Sequence, residues 1–328
     1  MMMMKRRHFA ALALLPGLAR PALAQGQAQA YPDRPIRIIV PFPPGGPVDG
    51  GARVIGQVLT AELGQPVVIE NRSGAGGSIG TEAAAKAAPD GYTLHFGSTG
   101  SLAVNQTLVP NLSYDTRRDF AAISVVSAVP MLMVSRASLP ARTVQEVVAL
   151  ARQRPNALTY ATSGPGGAPH LVGELLRQRA GVELTMVAYR GAAPAMTAII
   201  AGEVDVTFLD PAVLMPHVRE GRMRGLAVTS RERSPALPDF PSLVEVGLTG
   251  VEVENWYALL APAGTPPDRI ARIHGALSAA LARPETLRSY TDQGQRVLNL
   301  PPTESAAFIR AEVEKWAEVV RTAGMKPD

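Results

Sequence analysis

Short apolar runs and amphipathic stretches alternate along most of this chain, separated by loops rich in glycine and proline. Residues 36–40 read as a strand and 51–63 as a helix. Residues 66–70 read as a second strand, 81–88 as a helix and 92–96 as a third strand. The stretch 120–134 is β-rich with Pro130 inside it, and 143–152 is a helix with Val144, Val147, Val148 and Ala151 on one face. In a second series, strands at 158–161, 185–188, 204–208 and 225–229 alternate with helices at 170–179, 194–201 and 212–220. Residues 256–261 form another apolar strand, and amphipathic helices near 268–281 and 303–322 follow. Strands and helices alternating through short loops predict an α/β fold with parallel sheets. Two successive series predict two similar α/β lobes. The long strands near 120–134 and 254–261 are the expected connections, so lobe 1 takes residues 31–125 and 258–328 and lobe 2 takes 126–257.

The N-terminus carries a different signal. Lys5, Arg6 and Arg7 precede the apolar run AALALLPGLA, which ends in Ala22-Leu23-Ala24. A basic start, a short apolar centre and an A-x-A end make residues 1–24 a cleavable export signal, with 25–30 as a linker. The run is shorter than the ~20 residues needed to cross a bilayer. Arg6-Arg7-His8-Phe9 resembles the twin-arginine pattern, but paired arginines also occur in ordinary signals, so both export routes stay open. Residues 1–24 contain four of the chain's 32 basic residues and no acid, so cleavage leaves 28 basic against 28 acidic residues. The formal charge of +4 thus belongs to the signal and gives no footprint for nucleic acid. Cysteine is absent, which excludes disulfides, thiol catalysis and cysteine-rich zinc sites.

Glycine and small polar residues gather where strands lead into helices: PFPPGGPVD (41–49), NRSGAGGSIG (71–80), GSTGS (97–101), TSGPGGAPH (162–170) and YRGAAP (189–194). Helix starts present backbone N–H groups that favour an anion, and glycine permits close approach. Proline fixes loop shape in advance. These loops are expected to hold a carboxylate. Pro43, Pro44 and Pro165 have no N–H, which leaves Gly45, Gly46, Gly164, Gly166 and Gly167 as backbone donors. Ser98, Thr99 and Ser163 add hydroxyls, and Arg190 is the best-placed cation. Asp49 reads equally as a helix cap or a ligand contact, and His170 as a helix-start residue or a contact. No cofactor or metal is expected: His95, His170, His217 and His274 are scattered, with no paired spacing. Gly74-x-Gly76 lacks the third glycine of a dinucleotide loop. Gly76-Gly77-Ser78-Ile79-Gly80 matches the G-x-S-x-G of a nucleophile elbow, which leaves an exported hydrolase using Ser78 as the rival function. An elbow serine ends its strand directly, whereas Ser78 stands well beyond PVVIE.

Taken in order, YPDRPIRIIVPFPPGG, LGQPVVIENRSGAGGSIGTEAAAKAAPDGYTL, YRGAAPAMTAIIAGEVDVTF, GLAVTSRERSPALPDFPSLVEVGL, WYALLAPAGTP and FIRAEVEKWAEVVRTAGMKPD resemble the substrate-binding proteins of tripartite tricarboxylate transporters, the Bug family. The resemblance covers nearly the whole chain after the export signal. It implies a type II periplasmic binding protein fold, with two α/β lobes hinged around a ligand cleft, and capture of a small organic acid for membrane permease subunits; the chain is expected to be a monomer. It also implies that a pincer of two loops grips the carboxylate. Here those loops are Phe42–Asp49, with Phe42 and Pro44 in its wall, and Ser163–His170. A sensor partner of a membrane kinase would use the same lobes, so that role stays open. The chain departs from the family pattern at Val48, at Gly50-Gly51 and at Gly167-Ala168-Pro169. It reads Phe208-Leu209-Asp210-Pro211 where the family has F-D-N, which bears on any ligand role for Asp210. These changes predict a drier or roomier pocket.

Overall fold

The computed structural model describes residues 31–325. The expected export signal and linker lie outside the described residues. In chain order the elements are β1 (Ile36–Val40), α1 (Pro47–Leu63), β2 (Val67–Asn71), α2 (Ser78–Ala85) and β3 (Thr93–Ser98). A π-helical turn (Gly100–Val104) leads into the short helices α3 (Asn105–Leu108) and α4 (Thr116–Asp119). Then come β4 (Phe120–Pro130), β5 (Leu132–Arg136), α5 (Val144–Gln153), β6 (Thr159–Thr162), α6 (Ala168–Ala180), β7 (Thr185–Ala188), α7 (Ala192–Ala201), β8 (Val206–Leu209), α8 (Pro211–Arg219) and β9 (Met223–Val228). The C-terminal part holds β10 (Glu254–Pro262), α9 (Pro267–Leu281), α10 (Pro284–Asp292), β11 (Arg296–Val297) and α11 (Pro302–Thr322).

Helices α1, α6 and α7 begin two to four residues earlier than periodicity suggests, and the proline loops explain why. α1 starts at Pro47, α6 at Ala168 and α7 at Ala192. A proline in the first turn gives up an N–H that has no partner there anyway, and its fixed φ suits the helix. The stiff, side-chain-poor loop after β1 is therefore largely a helix start. α1 ends at Gly64, whose φ of 70° carries the chain into the left-handed turn that returns its N–H to Thr60 O.

The strands form a six-stranded sheet ordered β11-β4-β10-β3-β1-β2 and a five-stranded sheet ordered β7-β6-β8-β5-β9. Sheet order corrects the expectation of purely parallel sheets. β1 runs parallel to β2 and β3, but β10 and β4 join antiparallel. Likewise β6 is parallel to β7 and β8, whereas β5 is antiparallel to β8 and β9. The β-rich stretch 120–134 is two strands in different sheets, divided at Met131. Pro130 has no N–H to continue a ladder, which makes it a natural terminus. Beside that break Thr229 knits the two chain crossings together. Its buried hydroxyl accepts from Met131 N–H at 2.8 Å and donates to the Val253 carbonyl at 2.5 Å.

β1 is almost wholly apolar because it is covered on both faces. The C-terminal helices complete that cover, with α9 against α1 and α11 against β4. Ser305 of α11 accepts from Val125 N–H at 2.8 Å. Trp256 and Trp316 are both buried and both donate to Glu312 Oε2 at 2.8 Å. Each ring removes about 200 Å² from water, on the order of 5 kcal/mol. These contacts fix β10, the strand that carries Asn255 and Tyr257 toward the cavity.

Candidate functional site

The strand ends and helix starts described above converge on one cavity of about 690 Å³, counting its open mouth. The start of α1 supplies Gly46, Pro47 and Val48; that of α6 supplies Gly167, Ala168 and Pro169; that of α7 supplies Gly191 to Pro194. Asp210, at the start of α8, closes one wall. None of these four helix starts is closed by a side-chain cap. The starts of α1, α6 and α7 therefore present unsatisfied N–H groups and the positive ends of their dipoles to that space, whereas α8 contributes the Asp210 carboxyl.

The rest of the lining is mainly apolar: Phe42, Pro43, Pro44, Met131 and Leu209. Ser98, Ser163, Arg190 and Asn255 are its other polar side chains. The hydroxyls of Ser98 and Ser163 make no hydrogen bond with the described residues and can serve a ligand. Arg190 is exposed and forms no ion pair among the described residues, so its charge is not neutralised locally.

Of the residues proposed from sequence, Phe42, Pro44, Gly46, Ser98, Ser163, Gly167, Arg190 and Asp210 come together around this cavity. The others sit behind it or beside it. Gly45 N–H donates to Asp49 Oδ2 at 2.9 Å. Asp49 also takes Arg53 Nε at 2.9 Å and Asn71 Nδ2 at 3.0 Å, so it ties the first loop to α1 and β2. Burial alone would raise its pKa, but these hydrogen bonds hold the carboxyl below its ordinary range. Thr99 is fully buried, its hydroxyl accepting from Trp256 N–H at 2.9 Å. Gly164 N–H goes to Thr162 Oγ1 at 3.3 Å, and Gly166 N–H to His170 Nδ1 at 3.1 Å. Gly167 N–H goes to the Gly164 carbonyl at 3.4 Å, so four expected backbone donors are engaged within their own loops. The side-chain partners lie two to four residues along the chain, as local side-chain–backbone bonds do. Asn255, Val48, Met131 and the α7 residues Ala192 and Ala193 are lining residues that the sequence reading did not assign. The YRGAAP loop was the available signal for α7, whereas nothing marked Asn255 within a strand read as core.

A second, adjoining cleft shares Phe42, Pro43, Ser163, Arg190 and Gly191 with the first and is otherwise lined by the loop 73–77, Asn105 and Gly164 to Pro165. Here the glycines of G-x-S-x-G have a packing role. A Cβ at Gly76 would come within 2.8 Å of the Pro165 carbonyl oxygen, and one at Gly80 within 2.4 Å of the Arg72 carbonyl oxygen. Ser78 Oγ accepts from Asn105 Nδ2 at 3.2 Å and opens α2, seven residues beyond the end of β2. Among the described residues no group of three His, Asp or Glu side chains is arranged to hold a metal ion.

Deep in the wall, the Tyr257 hydroxyl donates to Asp210 Oδ2, and Asn255 Nδ2 lies 3.4 Å from Asp210 Oδ1. Asn255 Nδ2 also donates to the Tyr257 hydroxyl at 2.9 Å. Burial pushes the Asp210 carboxyl up to about 7, against the smaller opposing effect of Asn255.

Two similar sheets with uncapped helix starts around a shared cavity define a protein built to hold a small anion. The model of the tripartite tricarboxylate transporter family receptor matches residues 51–325, and the chain belongs to that family. It is 37% identical over 311 residues to protein BugT of Bordetella pertussis, covering 94% of each chain. A solved R. palustris protein with adipate superposes with a TM-score of 0.88 at 34% identity, covering 91% of this chain and all of the other. MatC from Rhodopseudomonas palustris with bound malate gives 0.84 at 33% identity, over 88% of this chain and all of the other. Among the described residues no helix is long and apolar enough to cross a membrane.

Proposed function

We propose that the chain is a periplasmic solute-binding protein that captures a small organic carboxylate in the cavity and passes it to membrane subunits of a tripartite tricarboxylate-type transporter. The observation that carries this reading is the meeting of three uncapped helix starts, those of α1, α6 and α7, in one largely apolar cavity. Buried N–H donors gain most from an ionised acceptor, about 1.5–3 kcal/mol for each charge-assisted bond. The relatives solved with adipate and malate support a carboxylate as the ligand class. The two sheets act as lobes that close by a hinge near Met131 and Val253, where each chain crossing is a single short link. Catalysis by Ser78 is not part of this reading: its hydroxyl is held by Asn105, and the family relatives support a binding role. Gly45, Gly164, Gly166 and Gly167 act by shaping the loops, and Gly46 and the α7 start by donating.

A thermal-shift screen of small carboxylic acids against the mature protein tests the proposal. An acid present at about 100 times its Kd is expected to add about 2.7 kcal/mol to stability and raise the melting temperature by several degrees. A library of short mono- and dicarboxylates that shifts nothing would overturn it.

A further inference from the structure

Asp210 stands at the N-terminus of α8, where an aspartate ordinarily accepts from the backbone of its own helix. It makes no such cap. Its side chain reaches across to the other sheet, to the Tyr257 hydroxyl and the Asn255 amide of β10. The carboxyl is buried, yet the residue lines the same cavity as the starts of α1, α6 and α7. A carboxylate can accept about four hydrogen bonds, so two partners leave accepting capacity. The cavity therefore offers two kinds of partner. The starts of α1, α6 and α7 and Arg190 draw an anion, and Asp210 offers a hydrogen-bond acceptor.

Building on the carboxylate-binding reading above, we propose that Asp210 is a specificity residue that selects a monocarboxylate bearing a hydroxyl or N–H donor and discriminates against dicarboxylates. A donor elsewhere on the ligand bonds to the remaining accepting capacity of Asp210. A second carboxylate placed there brings two like charges together in a site with little water to screen them. Burial already disfavours the charged form of Asp210, so the site has little solvation left to offset another anion. Arg190 is the only cationic side chain among the described lining residues, which suits one anionic group better than two.

The test is calorimetric titration of the mature protein at pH 8 with two matched sets: succinate, 4-hydroxybutyrate and butyrate, then adipate, 6-hydroxyhexanoate and hexanoate. In the set whose length fits, the hydroxy acid is expected to bind at least tenfold more tightly than the diacid. Asp210→Asn is expected to narrow that gap below threefold, chiefly by improving the diacid. A diacid that binds wild type as tightly as the hydroxy acid, or a gap that survives Asp210→Asn, overturns the inference and leaves carboxylate binding intact. The wild-type ratio decides even where the variant does not fold. Failure of all six acids to bind a cooperatively unfolding protein overturns the carboxylate reading, and this inference with it.

Discussion

Replacing Ala193 with aspartate is expected to abolish most carboxylate binding, by about two orders of magnitude, without lowering the melting temperature. Ala193 is exposed in the first turn of α7 and lines the cavity. An aspartate there complements the helix dipole, so the fold should keep or gain a few tenths of a kcal/mol. The same carboxylate occupies the N–H groups meant for the ligand and repels it. Two charges about 5 Å apart at an effective dielectric near 20 interact by about 3 kcal/mol, and every 1.4 kcal/mol is about tenfold in affinity. Ala193→Asn keeps the size without the charge and should lose far less. Comparison of the two by calorimetry, with melting curves for both, separates electrostatic blockage from distortion. Equal losses in the two variants would mean that the α7 start does not face the anion.

Gly80→Ala is expected to produce the largest loss of stability from the smallest change in chemistry. The new Cβ would lie 2.4 Å from the Arg72 carbonyl oxygen and 2.7 Å from Pro41 Cα. Both neighbours are backbone and cannot rotate away, so α2 must slide off the loop that follows β1. Overpacking of this kind costs about 3 kcal/mol, which lowers the melting temperature of a chain this long by roughly 5 °C. Ser78→Ala, two residues earlier in the same motif, should leave ligand affinity within about threefold. A Gly80→Ala protein that melts with wild type would show that α2 and Pro41 do not approach as closely as described.

These substitutions mark where the sequence was legible. Period-2 and period-3.6 patterns located most strands and helices, because buried faces must repeat with the backbone. α10 escaped because Pro284–Asp292 is mostly polar and buries only Thr286 and Tyr290. The break at Met131 escaped because the apolar residues run without interruption from β4 into β5. The cavity loops were legible as glycine- and proline-rich strand ends, but which N–H groups remained free was not. Asp49 and His170 each take a donor from their own loop, and sequence spacing does not show which way such a side chain turns. Asn255 was invisible for a related reason. Its strand is buried on both faces, and nothing in the residue pattern shows that its amide turns toward Asp210 and the cavity.

The central claim is that backbone N–H groups at converging helix starts hold one ionised carboxylate. Calorimetric titration of the tightest-binding acid from the screen, beside its primary amide, tests it most directly. The amide keeps the size and shape of the ligand but brings no charge and two donors to a site that already consists of donors. The account predicts that the amide binds at least a hundredfold more weakly than the acid, with most of the difference persisting in Arg190→Ala. Equal affinities for acid and amide, or a difference that vanishes with Arg190, would contradict it.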